Sequence, residues 1–88
     1  MQKDNGILNE LRNAIVSGNI QKAREIAQRI VQRGFSANAA LEKMREAMRT
    51  VDEKYEKKEY FIVDVASSAS AMREAFKLLE PHLEVESA

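Results

Sequence analysis

The chain has no cysteine and no tryptophan, a single histidine, a single proline and only three glycines. Without cysteine it forms neither a disulfide nor a thiolate metal site, as expected of a cytoplasmic protein. The one histidine, His82, follows Pro81 near the C-terminus, where no sequence neighbour positions it as a general base or a metal ligand. No glycine-rich phosphate loop and no Glu-x-x-His spacing occur. Ser67, Ser68 and Ser70 have no base close in sequence, so a serine nucleophile has no support. Charge of one sign is also lacking: 14 Lys and Arg balance 14 Asp and Glu, for a formal net charge of +0. A nucleic-acid partner is therefore not expected. There is no apolar run of membrane-spanning length, and the N-terminal MQKDNGILNE is not a signal peptide, so no membrane partner is expected. No catalytic residue and no metal ligand emerge, and the chain reads as no enzyme by itself.

What is present is a chain of 88 residues, 44% hydrophobic and 32% charged. Those proportions are those of a single folded domain over residues 1–88 with one modest core. So few breakers imply an all-α class. Apolar spacing predicts an antiparallel four-helix bundle with helices at 5–17, 20–33, 37–56 and 61–80. The first helix is expected to be capped by Asp4 or Asn5 and to bury Ile7, Leu8, Leu11, Ala14 and Ile15. Gly18 and Gly34 close the first two helices, and Asn19 and Ser36 cap the second and third. Phe35, just before Ser36, is placed to staple onto the third helix. The third helix carries a stripe of Leu41, Met44, Met48, Val51 and Tyr55. The fourth is expected to turn Ile62, Val65, Ala66, Ala69, Met72, Phe76 and Leu79 inward. Pro81 stops it, leaving residues 83–88 as a frayed acidic tail.

Val51–Met72 stands apart from this pattern. It joins the end of one helix to a charged turn, to Tyr60 and Phe61, and to a run of small residues from Ala66 to Ala71. Glu53, Glu56 and Glu59 recur every three residues, but Lys54, Lys57 and Lys58 interleave with them as a solvated ion-pair face. Close helix packing accounts for the alanines. It does not account for Tyr55, Phe61 and Ile62 gathered at one end of so small a domain, which suggests a docking surface there.

These residues resemble the helical N-terminal cap module of cobalamin-binding proteins, the family of methionine synthase and the corrinoid methyltransferase proteins. The resemblance runs from about Leu8 to Leu83. It rests on Val16-Ser17-Gly18-Asn19, Gly34, Met48-x-x-Val51-x-Glu53-x-Tyr55, Glu59-Tyr60-Phe61-Ile62, Ser68-Ala69-x-Ala71-Met72 and Leu79-x-Pro81, in order. It implies a four-helix cap over the upper face of a corrinoid, shielding the cobalt-bound methyl group and swinging away for methyl transfer. By motif, Tyr55 and Ile62 fall on the shielding positions, with Val65 and Ala66 one turn on. The implied cofactor is cobalamin, touched only at its upper face. The implied partners are an α/β cobalamin-binding domain, on the same or another chain, and a methyltransferase enzyme.

The chain departs from the family at several points. Asp52 and Lys58 stand where glycine is usual, Ile62-Val63 where Leu-Pro is usual, and Tyr55 where phenylalanine is usual. Losing glycine and proline is expected to alter the turn. The Asp-x-His-x-x-Gly motif of the α/β domain does not occur. The chain is thus either part of a longer corrinoid protein or a free-standing cap. An alternative reading stays open: a helical interaction or dimerisation module that kept the fold and lost the cofactor, with a homodimer formed through the Tyr60-Phe61 end.

Overall fold

A computed structural model describes residues 3–84. The order is α1 (Lys3–Val16), α2 (Ile20–Gln32), α3 (Ala37–Glu56) and α4 (Ile62–Leu79), followed by a 3-10 turn at Glu80–His82. The chain is all-α, a four-helix bundle as its apolar spacing predicts. Asp4 and Asn5 are not caps, because α1 already runs from Lys3. Asn19 and Ser36 do cap: their side chains accept from the Lys22 N–H at 3.1 Å and the Ala39 N–H at 3.0 Å.

Three helices end in the same way. The third residue past the helix donates back to a carbonyl five residues earlier: Asn19 to Ala14 at 2.9 Å, Phe35 to Ile30 at 3.0 Å and Glu59 to Lys54 at 2.8 Å. The residue between must be left-handed, and it is Gly18 (φ 71), Gly34 (φ 74) and Lys58 (φ 66). At Lys58 the glycine usual in the family is lost, yet the left-handed turn is kept, with a side chain in a conformation that costs about 1–2 kcal/mol for an L-residue.

α2 packs most extensively on α4 and α1 on α3, while the sequential pairs α1–α2 and α3–α4 also touch. The helices thus follow each other around the bundle as α1, α2, α4, α3. The core takes its bulk from Leu11, Ile15, Ile26, Ile30, Met44 and Leu79, all fully buried. Each such side chain contributes about 1.5–3 kcal/mol by leaving water. α3 contributes Ala40, Met44, Ala47 and Val51, whereas Leu41 and Met48 from its expected stripe are only half-buried.

The inward face of α4 differs from the expected one. Ser68, Ala71, Ala75 and Leu79 are buried, while Ile62 and Ala66 are exposed and Val65, Ala69, Met72 and Phe76 are half-buried. Both sets recur at helical spacing and share only Leu79. Aliphatic side chains of α1 and α2 already fill the interior, so α4 must come close, and small residues permit that. The approach is tightest at the α1–α2 turn, where a Cβ on Gly18 would lie 2.8 Å from the Ser67 Cβ.

Leu83 and Glu84, the first two residues of the expected frayed tail, are held against the bundle. Leu83 packs against the core. Asn38 binds the Glu84 backbone twice, its amide donating to the carbonyl at 3.2 Å and its oxygen accepting from the N–H at 2.8 Å. The rest of the expected tail, 85–88, lies outside the described residues. No helix among the described residues is long and apolar enough to cross a membrane.

Candidate functional site

The corner between α3 and α4 is built from residues 57–61. Lys54, in the last turn of α3, supplies the carbonyl that accepts from both Glu59 and Tyr60. Its ammonium stands 5.5 Å from the centroid of the Tyr60 ring and 3.6 Å from the Glu59 carboxylate. Of the three regularly spaced glutamates, Glu59 therefore belongs to an ion pair, as the interleaved lysines suggest. Phe61 is the N-cap of α4 and has no side-chain acceptor to offer. Asp64 supplies the polar group instead, accepting from the Phe61 N–H at 2.9 Å. A carboxylate in the first turn also complements the positive end of the helix.

Tyr60 turns inward rather than joining the apolar end. Its hydroxyl donates to the Val16 carbonyl, which also accepts from Ser68 Oγ at 3.1 Å. Val16 ends α1, so its carbonyl has no partner within the helix, and two side chains from the α3–α4 region satisfy it. This ties the corner to the end of α1. It also leaves Tyr60 half-buried, so less of its ring is available to a Tyr60-Phe61 homodimer contact.

The other large residues of the corner face out. Tyr55 is 46% exposed, Phe61 69%, Ile62 68% and Val63 68%. Tyr55 lies in the last turn of α3 and Ile62 at the first position of α4, so the turn brings the two to one corner. Val65, half-buried, and Ala66, exposed, follow Ile62 at the spacing that shares a helix face. All four sequence candidates therefore sit at one end of the α3–α4 pair, and none is an interior residue. Phe61, which the sequence pattern already placed at the apolar end, and Val63, which it did not, are as exposed as Ile62. The signal was available: Tyr60-Phe61-Ile62-Val63 is four bulky residues in a row, which cannot all reach one helix face.

The surface is apolar and sterically open, with Lys57, Lys58 and Glu59 exposed at its margin. It offers contact and exclusion of water rather than acid–base chemistry. Among the described residues, no three His, Cys, Asp or Glu side chains group to hold a metal ion. His82 is exposed in the 3-10 turn. Ser68 is committed to Val16, and Ser70 accepts from Arg73 at 3.4 Å.

Known proteins are similar to this chain in sequence and fold. Monomethylamine corrinoid protein 1 of Methanosarcina acetivorans is 33% identical over 79 residues, 89% of this chain and 36% of that protein. Monomethylamine corrinoid protein 2 of Methanosarcina mazei is 32% identical over 79 residues, with the same shares. The structure of the Methanosarcina barkeri monomethylamine corrinoid protein matches with a TM-score of 0.82 at 28% identity, over 92% of this chain and 38% of that one. This chain thus spans little more than a third of the length of the corrinoid proteins it matches. The family described as B12 binding domain matches residues 7–80, from Ile7 in α1 to Glu80 just past α4, and the chain belongs to that family.

Proposed function

We propose that the chain is the cap of a methyl-transferring corrinoid protein and that its α3–α4 corner covers the upper face of cobalamin. The observation that carries this reading is the exposure of Tyr55, Phe61, Ile62 and Val63 at one corner of a domain that otherwise buries its core. A broad, flat, largely apolar ring face fits such a surface, and the donor set fits contact rather than ligation. In this reading Tyr55 and Ile62 lie over the reactive position, and Val65 and Ala66 extend the cover along α4. Methylcobalamin, when bound, supplies a labile cobalt–carbon bond from which a methyl group is handed on. The side chains of this chain keep that face dry and uncharged, which suppresses loss of the methyl group to water. The tie of Tyr60 and Ser68 to Val16 holds the corner in place, so the cover moves as one body with the bundle.

The lower cobalt ligand and most of the ring's binding surface belong, in this reading, to an α/β cobalamin-binding domain. Methyl transfer belongs to a methyltransferase enzyme. The chain contributes protection and access.

Photolysis of methylcobalamin bound to an α/β cobalamin-binding domain, with and without this chain, tests the reading. The chain should slow photolysis, and Tyr55→Ala and Ile62→Ala should each remove much of the slowing while leaving the helical circular dichroism unchanged. Equal rates with and without the chain, or full protection by both variants, would overturn it.

A further inference from the structure

The seam between α3 and α4 continues past Ala69 as a groove of about 530 Å³. Leu41 and Met48 of α3, Met72 and Phe76 of α4 and Leu83 supply its apolar walls, Arg45 and Arg73 flank it, and among the described residues no carboxylate lines it. We propose that this groove docks an amphipathic helix of a partner protein, one with an apolar ridge bordered by Asp and Glu.

Its form suits a helix. Leu41 and Met48 are seven residues apart on one helix, about 10 Å or two turns, which matches a partner ridge at i, i+3 or i+4, and i+7. Met48 and Met72, one on each wall, are pliable and can mould to such a ridge. Its charge specifies the flanks. Arg73 meets only the Ser70 hydroxyl among the described residues, at 3.4 Å. Arg45 pairs with Glu42 at 2.8 Å, but the two side chains are 57% and 66% exposed, so water screens the pair and a partner carboxylate can replace it. Two exposed arginines, with no carboxylate among the described residues that line the groove between them, favour an acidic partner.

A nucleic acid or an anionic bilayer fits less well. The whole chain is formally neutral, and two arginines cannot substitute for the many phosphate or headgroup contacts such surfaces require. The groove adjoins the proposed cobalamin-facing corner at its Ala69 end, but its apolar walls lie further along α4. Met72 lies ten residues beyond Ile62 on α4, about 15 Å along the helix axis. The inference stands whether or not the corner covers a corrinoid.

The test uses the chain labelled with ¹³C at its methionine methyls. The probes are two synthetic helical peptides with the same leucine ridge, flanked by Glu in one and by Lys in the other. The Glu peptide should shift Met48 and Met72 and leave Met44, which is fully buried, in place. It should bind about tenfold more tightly than the Lys peptide, and R45E/R73E should reverse that preference. Both arginines are solvent-exposed, so the variant should keep its fold, and the reversal itself reports a folded protein. Equal binding of both peptides would overturn the proposal. So would shifts at Met48 and Met72 that follow chain concentration alone, which would assign the groove to a second copy. Stronger shifts with phosphatidylglycerol vesicles than with the Glu peptide would also overturn it, in favour of a bilayer.

Discussion

In the α1–α2 hairpin Ile7, Leu8, Leu11, Ile15, Ile26 and Ile30 are all buried, whereas in the α3–α4 hairpin Tyr55, Phe61, Ile62 and Val63 stand in solvent. α4 buries Ser68, Ala71, Ala75 and Leu79 and turns its remaining bulk toward the surface. The first hairpin supplies more of the bulk of the core, and the second adds Met44, Val51 and Leu79 among small side chains. The lesson is a division of labour. More of the stability should come from the first half of the chain, and the second half leaves Tyr55, Phe61, Ile62 and Val63 exposed at one corner.

The largest expected break in this comparison comes from the first hairpin. Leu11→Ala should lower the unfolding free energy by about 2–5 kcal/mol, read as a fall in the urea midpoint at constant slope. Gly18→Ala follows, at roughly 2–4 kcal/mol, because a left-handed position acquires a Cβ that also collides with Ser67. Gly34→Ala is its control. Gly34 has a similar φ of 74 with nothing within 4 Å of the added carbon, so only the backbone term of about 1–2 kcal/mol applies. Equal effects at the two glycines would mean that the close approach of α4 is not a constraint.

Smaller changes sharpen the second half. Tyr60→Phe removes one of two donors to Val16 and should cost about 1 kcal/mol. Lys58→Gly relieves the left-handed lysine and should stabilise by about 0.5–1 kcal/mol, seen as a raised thermal midpoint. The smallest effect is expected at Ile62→Ala. That side chain is exposed, and stability should change by less than about 0.5 kcal/mol in the same denaturation assay. A loss there as large as at Leu11 would erase the division between the hairpins.

Much of this was legible in the sequence. Ser36 and the 37–56 span marked α3, and the boundaries of the other helices fell within a residue or two of those observed, because caps and glycines act locally. The four helices were also readable, and so was the gathering of Tyr55, Phe61 and Ile62 beside a polar turn, but the exposure of Tyr55 and Ile62 was not, since helical spacing put both on inward faces. The orientation of α4 was not. Its large and small stripes have the same period, and weighting by size selects the wrong one. What decides between them is the volume already occupied by residues such as Ile26 and Ile30, a property of the assembled bundle. The role of Tyr60 was hidden for a similar reason. Its acceptor, the Val16 carbonyl, lies 44 residues away and becomes available only because α1 ends there. The groove at Met48 and Met72 emerges only once α4 is turned the right way.

The contact at Val16 also bears on how the chain folds and how long it stays folded. Tyr60 and Ser68 reach one carbonyl across 44 and 52 residues. Closing loops of that length costs entropy that local contacts within each hairpin do not, so the junction between α1 and the α3–α4 corner should form late. Interactions completed after the folding transition state leave the folding rate nearly untouched and act on unfolding. A single carbonyl at the end of the first helix thus works as a latch: it has little say in how fast the bundle assembles and a large one in how slowly it comes apart.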